Sequence, residues 1–184
     1  MVELSYSDYE LILVRDVTMT PVVPQLSGGV AETWEIYPEL PDGIVFDNGI
    51  LSGTPIINST RSMYTVWANN TGGSNNVSLN ITILEPSANI VYDPTNLILT
   101  RGEMMQPAIP NIDGGAIESW SIYPDLPDGL VFDNGTISGT PTFNMTIANY
   151  LIYGNNSGGS SVVGLSITIL EPAPTITYQD ESLV

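Results

Sequence analysis

The sequence predicts an all-β chain of two tandem immunoglobulin-like β-sandwich domains. Three observations carry that expectation. Turn-forming Pro, Gly, Asn and Asp recur between short apolar runs, no segment shows a helical apolar stripe, and the whole pattern occurs twice within 184 residues.

The repeat comes first because it sets the phase of everything else. Residues 34–55 read WEIYPELPDGIVFDNGILSGTP and residues 120–141 read WSIYPDLPDGLVFDNGTISGTP, so position 34 corresponds to position 120 and the offset is 86. The same offset relates Tyr6 to Tyr92, Arg15 to Arg101, Met19 to Met105, Tyr64 to Tyr150, and NITILEP at 80–86 to SITILEP at 166–172. Solenoid units run about 20–50 residues, so a period this long describes domains with their own cores. The expected limits are 1–86 for the first domain and 87–172 for the second. Ile176, Tyr178 and Leu183 match Ile90, Tyr92 and Leu97, which makes 173–184 the start of a third copy. A longer array is expected, with its export signal and anchor outside these residues.

Within one unit the elements read in order. Trp34 and Ile36 form an inward pair on one strand, as do Trp120 and Ile122. Leu-Pro-Asp-Gly at 40–43 and 126–129 is a turn, with Pro fixing φ and Gly admitting a left-handed residue. Asn48-Gly49 and Asn134-Gly135 call for type I′ hairpin turns, which need positive φ at both central residues. Tyr64, Val66 and Ala68 alternate inward on the penultimate strand, and Tyr64 and Tyr150 suit either a tyrosine corner or a plain core tyrosine. Asn-Asn-Thr-Gly-Gly-Ser at 69–74 joins that strand to the last one. There Val77, Leu79, Ile81 and Ile83 alternate with Ser78, Asn80 and Thr82, giving one buried and one wet face. Six or seven strands per unit are expected.

Composition removes most chemistry. There are 20 acidic residues, three arginines (Arg15, Arg61, Arg101), and no lysine, histidine or cysteine, for a net charge of −17. Nucleic acid and anionic membranes want a basic patch, so neither is an expected partner. Without these residue types there is no disulfide, thiolate, imidazole base or Schiff-base lysine. Lysine-dependent isopeptide cross-links are excluded with them. No apolar run approaches bilayer-spanning length.

The run Leu-Pro-Asp-Gly-(Ile/Leu)-Val-Phe-Asp-Asn-Gly-x-(Ile/Leu)-Ser-Gly-Thr-Pro, then Tyr-x-(Val/Ile) and Asn-Asn-(Thr/Ser)-Gly-Gly-Ser, resembles the Ig-domain repeats of bacterial and archaeal surface proteins. Those are relatives of the dystroglycan-type cadherin-like domains. The resemblance covers nearly all of each unit. It implies an immunoglobulin-like, cadherin-like sandwich repeated as a stalk or adhesive region of a large secreted or cell-surface protein, with no catalytic residues; no cofactor is expected apart from the structural calcium considered next.

Two kinds of site follow from these residues. Cadherin-like domains hold calcium at domain junctions with six to eight oxygens. The corresponding acids here are Glu85, Asp93 and Asp8, then Glu171 and Asp180, but they are isolated rather than in tight Asp-x-Asp runs. Asp42, Asp47, Asp128 and Asp133 also recur, and turn formation explains them without an ion. The Asn-x-Ser/Thr glycan acceptor pattern occurs at Asn58, Asn69, Asn76, Asn80, Asn134, Asn144 and Asn155. Composition alone gives about three such matches.

The expected function is a non-catalytic spacer or adhesin segment at a cell surface, with neighbouring repeats and a surface protein or glycan as partners. Short proline-containing junctions at 84–87 and 170–173 favour a semi-rigid string. One alternative is a carbohydrate- or protein-binding module of a secreted enzyme, with Trp67, Tyr153, Tyr37 and Tyr123 as outward aromatics. The other is a filament subunit that receives a donated strand.

Overall fold

A computed structural model describes residues 2–177. The chain forms two compact units and passes from the first to the second between Ser87 and Ala88. Among the described residues each holds eight strands rather than six or seven. The difference lies in three-residue strands too short to show periodicity.

In the first unit these are β1 (Glu3–Ser5), β2 (Glu10–Val14), β3 (Gln25–Ser27), β4 (Thr33–Tyr37), β5 (Ile44–Asp47), β6 (Ile50–Gly53), β7 (Ser59–Asn70) and β8 (Gly73–Leu84). The second unit repeats them as β9 (Asn89–Val91), β10 (Asn96–Thr100), β11 (Asn111–Asp113), β12 (Ser119–Tyr123), β13 (Leu130–Asp133), β14 (Thr136–Gly139), β15 (Met145–Asn156) and β16 (Gly159–Leu170).

One layer of each unit is a four-stranded sheet, ordered β2-β8-β7-β4 and β10-β16-β15-β12. The opposite layer of the first unit combines the β1-β3 and β5-β6 pairs, tied by a bridge between Val22 and Leu51. The second unit does the same through Ala108 and Ile137. The core between the layers is built from the expected alternations. Tyr64, Val66 and Ala68 on β7 and Leu79, Ile81 and Ile83 on β8 are all buried, facing Leu4, Met19 and Leu51. Each fully buried aliphatic side chain of this kind contributes about 1.5–3 kcal/mol.

The turns take the conformations their residues call for. Asn48 and Gly49 have φ of 48° and 85°, and Asn134 and Gly135 have 45° and 81°, so both hairpins close on type I′ turns. In Leu-Pro-Asp-Gly, Ile44 N–H donates to the Pro41 carbonyl at 3.1 Å and Gly43 sits at φ 89°. Gly43 also lies against the Gly-Thr-Pro run: Thr54 N–H donates to its carbonyl at 2.9 Å, and a Cβ on it would stand 2.0 Å from the Thr54 oxygen. The two most recognisable parts of the repeated motif are therefore the two sides of one backbone-to-backbone contact.

Candidate functional site

Two tyrosines secure the hairpin tips. The Tyr6 hydroxyl crosses the core to donate to the Gly49 carbonyl at 2.6 Å, and Tyr92 donates to the Gly135 carbonyl in the second unit. Trp34 covers the same glycine, for a Cβ there would meet its ring at 2.6 Å, and it packs edge-on against Phe46 with centroids 6.3 Å apart. Burial raises both tyrosine pKa values, that of Tyr92 to about 12. Tyr64 and Tyr150, the corner candidates, are core residues instead, and the Tyr150 hydroxyl points at Met145 Sδ. The sequence signal for the pair that does bond the backbone was its recurrence 86 residues apart.

The strands at which the chain enters and leaves the large sheet are parallel. β2 pairs with β8 from Glu10↔Asn80 to Val14↔Leu84, and β10 pairs with β16 from Asn96↔Ser166 to Thr100↔Leu170. Backbone hydrogen bonds close both ends of the first ladder, from Asn80 N–H to the Tyr9 carbonyl at 2.8 Å and from Arg15 N–H to the Leu84 carbonyl at 2.9 Å. Just beyond, Arg15 Nη2 pairs with the buried Glu85 carboxylate at 2.8 Å, and Arg101 Nη2 pairs with Glu171 at 2.7 Å. The first unit adds a cross-strand cluster. Arg61 on β7 donates twice to Glu10 on β2, and Asn80 on β8 donates to the same carboxylate at 2.9 Å. The Arg61 hydrogen bonds hold the Glu10 carboxyl below its ordinary value. In the second unit those three positions carry Ile147, Asn96 and Ser166, and a Ser166-to-Asn96 hydrogen bond of 3.0 Å replaces the cluster.

Of the acids considered for calcium, Glu85 and Glu171 are thus taken up by arginines. Among the described residues no three acidic side chains gather in a metal-binding arrangement. Asp180 lies outside the described residues, as do Tyr178 and Leu183 of the expected third copy. Residues 173–177 form no strand, and Ile176 is exposed.

The outward aromatics split in two. Tyr37 and Tyr123 are 72% and 70% exposed, while Trp67 and Tyr153 are half-buried on the outer sheet face. Trp67 stands in register between Glu35 on β4 and Asn76 on β8.

The glycan acceptor positions split as well. Asn69, Asn80 and Asn155 are half-buried strand residues whose amides donate to Thr33 Oγ1 (3.4 Å), Glu10 Oε1 (2.9 Å) and Ser119 Oγ (3.3 Å). Asn58, Asn76, Asn134 and Asn144 are exposed.

The second unit also has a cleft of about 530 Å³ between edge strand β10 and the segment leading to β11, lined by Tyr92, Asp93, Leu97, Ile98, Met104 and Ile109. A counterpart of about 470 Å³ occupies the same place in the first unit. Its lining mixes polar and apolar side chains and groups no titratable side chains into a reactive arrangement.

No family model matches the chain, and no curated protein matches it by sequence. Solved structures do. A Dscam structure addressing isoform specificity aligns at a TM-score of 0.51 and 15% identity, over 91% of this chain and 46% of its own. The N-terminal four Ig domains of Dscam1 isoform 9.44 give 0.52 and 15%, over 91% and 45%. Extracellular domains 3–5 of Drosophila OTK give 0.50 and 17%, over 93% and 62%. The fold is immunoglobulin-like, twice over. This chain spans about half the length of those Dscam structures, and at such identities the likeness is one of fold alone.

Proposed function

We propose that the chain is a load-bearing spacer from an array of immunoglobulin-like repeats in a larger extracellular or cell-surface protein. The observation that carries this is the parallel pairing of entry and exit strands in both units. Tension drawing the N-terminal side of β2 away from the C-terminal side of β8 pulls two parallel strands in opposite directions along their common axis. Every hydrogen bond of the ladder is then strained together, whereas a hairpin pulled at its open end breaks one bond at a time. The Arg15–Glu85 and Arg101–Glu171 pairs sit where each exit strand leaves the ladder and oppose its first slip.

Other features support the same reading. The repeated motif resembles surface-protein repeats of the dystroglycan-related cadherin-like kind, with limits at 86 and 172 and a third copy begun at 173. The solved structures of like fold include extracellular domains and a molecule named for cell adhesion. No histidine, cysteine or lysine is present for the usual catalytic roles, and a net charge of −17 disfavours anionic partners. The role is mechanical and adhesive rather than enzymatic, with neighbouring repeats and surface molecules as partners.

Single-molecule extension of the full chain, tethered at its two ends, tests this. Two unfolding events are expected, each releasing about 28–31 nm of contour length before subtraction of the folded span. Their force should clearly exceed that of the same chain pulled through attachment points at the ends of β7 and β8, which unzips the hairpin. Equal forces in the two geometries would remove the mechanical argument.

A further inference from the structure

Seven asparagines carry the acceptor pattern, but the fold does not present them equally. Three hold their amides in cross-strand hydrogen bonds, as described above. Asn76 is exposed yet lies inside β8, paired in register with Trp67, so its backbone is committed to the sheet. Asn134 is exposed at φ 45° in a two-residue turn whose next residue, Gly135, is buried against Trp120. Asn58 and Asn144 differ from all of these. Both are exposed loop residues immediately preceding β7 and β15, and they occupy equivalent places in the two units. Neither amide makes a hydrogen bond among the described residues, and the hydroxyl residues two positions on, Thr60 and Thr146, are exposed too.

The surroundings add a second argument. Ile56 and Ile57 beside Asn58 are 54% and 52% exposed, and Phe143 beside Asn144 is 43% exposed. Large apolar side chains left in water at the same loop of both units invite a cover. A saccharide joined to the adjacent asparagine supplies one without disturbing a ladder.

We infer that Asn58 and Asn144 are the N-glycan acceptors of this chain, one per repeat, and that the attached saccharide covers the apolar loop before the penultimate strand. In the transfer, Asn Nδ2 forms a bond to the anomeric carbon of a lipid-linked saccharide. The bond from that carbon to the lipid phosphate oxygen breaks, the lipid phosphate leaves, and a transferase base takes the Nδ2 proton. The inference rests on the extracellular reading, since such transferases act on exported chains.

The test uses purified, folded full-length chain with an oligosaccharyltransferase and lipid-linked oligosaccharide, read by intact mass and glycopeptide mapping. A flexible peptide carrying Asn58-Ser59-Thr60 establishes that the transferase is competent. Two additions are expected, at Asn58 and Asn144. Thr60→Ala and Thr146→Ala should each abolish one while leaving the melting temperature unchanged. Preferential transfer to Asn69, Asn80 or Asn155, or an unmodified folded chain beside a modified peptide, would overturn the assignment. Because the assay uses isolated protein, its failure is distinct from a failure of the extracellular reading, which surface labelling of cells producing the parent protein tests separately.

Discussion

Changing Tyr6 to phenylalanine deletes one hydroxyl and nothing else from the core. That hydroxyl is 2.6 Å from the Gly49 carbonyl, Tyr6 is 3% exposed, and Gly49 is itself buried. The variant therefore loses a hydrogen bond and also strands a carbonyl oxygen where water does not replace the donor. Leaving a buried acceptor unsatisfied costs about 1–3 kcal/mol. In a domain of this size each kcal/mol lowers the melting temperature by roughly 4–8 °C. Calorimetry or urea unfolding of the full chain should show one of the two units destabilised by Tyr6→Phe and the other by Tyr92→Phe, with the double variant close to additive. Tyr37→Phe is the control: at 72% exposure its hydroxyl is already in water, and the change should stay within about 0.5 kcal/mol. Alkali provides a second readout. The Tyr92 phenol titrates at about 12 in the folded state against 10.0 normally, so its contribution is intact below pH 10 and is lost as pH rises through 12. Tyr92→Phe should reduce that alkaline loss in the second unit, where burial also raises the Tyr150 phenol. If Tyr6→Phe and Tyr37→Phe proved equally mild, the claim that the buried phenol holds the hairpin tip would be wrong.

Two further outcomes follow from the geometry. Gly102 sits at φ 78° with nothing within 4 Å of a Cβ, so Gly102→Ala should cost only the left-handed strain of ~1–2 kcal/mol. Gly43→Ala adds a backbone clash at 2.0 Å and should cost at least about 2 kcal/mol more by urea unfolding, with similar values for the pair refuting the close approach. The Glu10 carboxyl is held below its ordinary value by Arg61, so the stability it confers is present above the unfolded pKa and fades as pH falls through the folded one. Arg61→Ile, which installs the residue found at 147, should remove most of that acid-dependent loss in the first unit, the Asn80 hydrogen bond keeping the rest; because the pair is exposed, high salt should shrink it in wild type as well.

Much of the fold was legible in the residues. Asn-Gly at 48–49 and 134–135 predicted positive φ twice over, and the chain adopts it because few other dipeptides tolerate two left-handed residues in succession. The alternation in 77–83 named its buried face correctly, since strand geometry converts period two into sidedness without reference to a partner. The strand count was short because Glu3–Ser5 and Gln25–Ser27 offer three residues each, less than two full alternations. Of the two readings left open for Tyr64, the structure takes the plain core tyrosine, and the hydroxyl that reaches backbone belongs to Tyr6 on a short, weakly patterned segment.

The candidate sites were legible only as sets of residues. Seven asparagines carried one pattern, and nothing local distinguished Asn58 from Asn80. The difference is that Glu10, 70 positions earlier, lies beside Asn80 and engages its amide. Glu85 read as an isolated junction acid because Arg15 is 70 positions away in sequence and 2.8 Å away in space.

By itself, then, the sequence determined the all-β class, the two-fold repetition, the turns and the buried face of each long strand. These are properties of φ, ψ and side-chain alternation that a few consecutive residues settle. Tertiary structure alone decided that β2 runs parallel to β8, that Tyr6 closes on Gly49, and which asparagines face open water. Those outcomes depend on which distant segments pair when the sheets close over one core, and no short window of residues contains both partners.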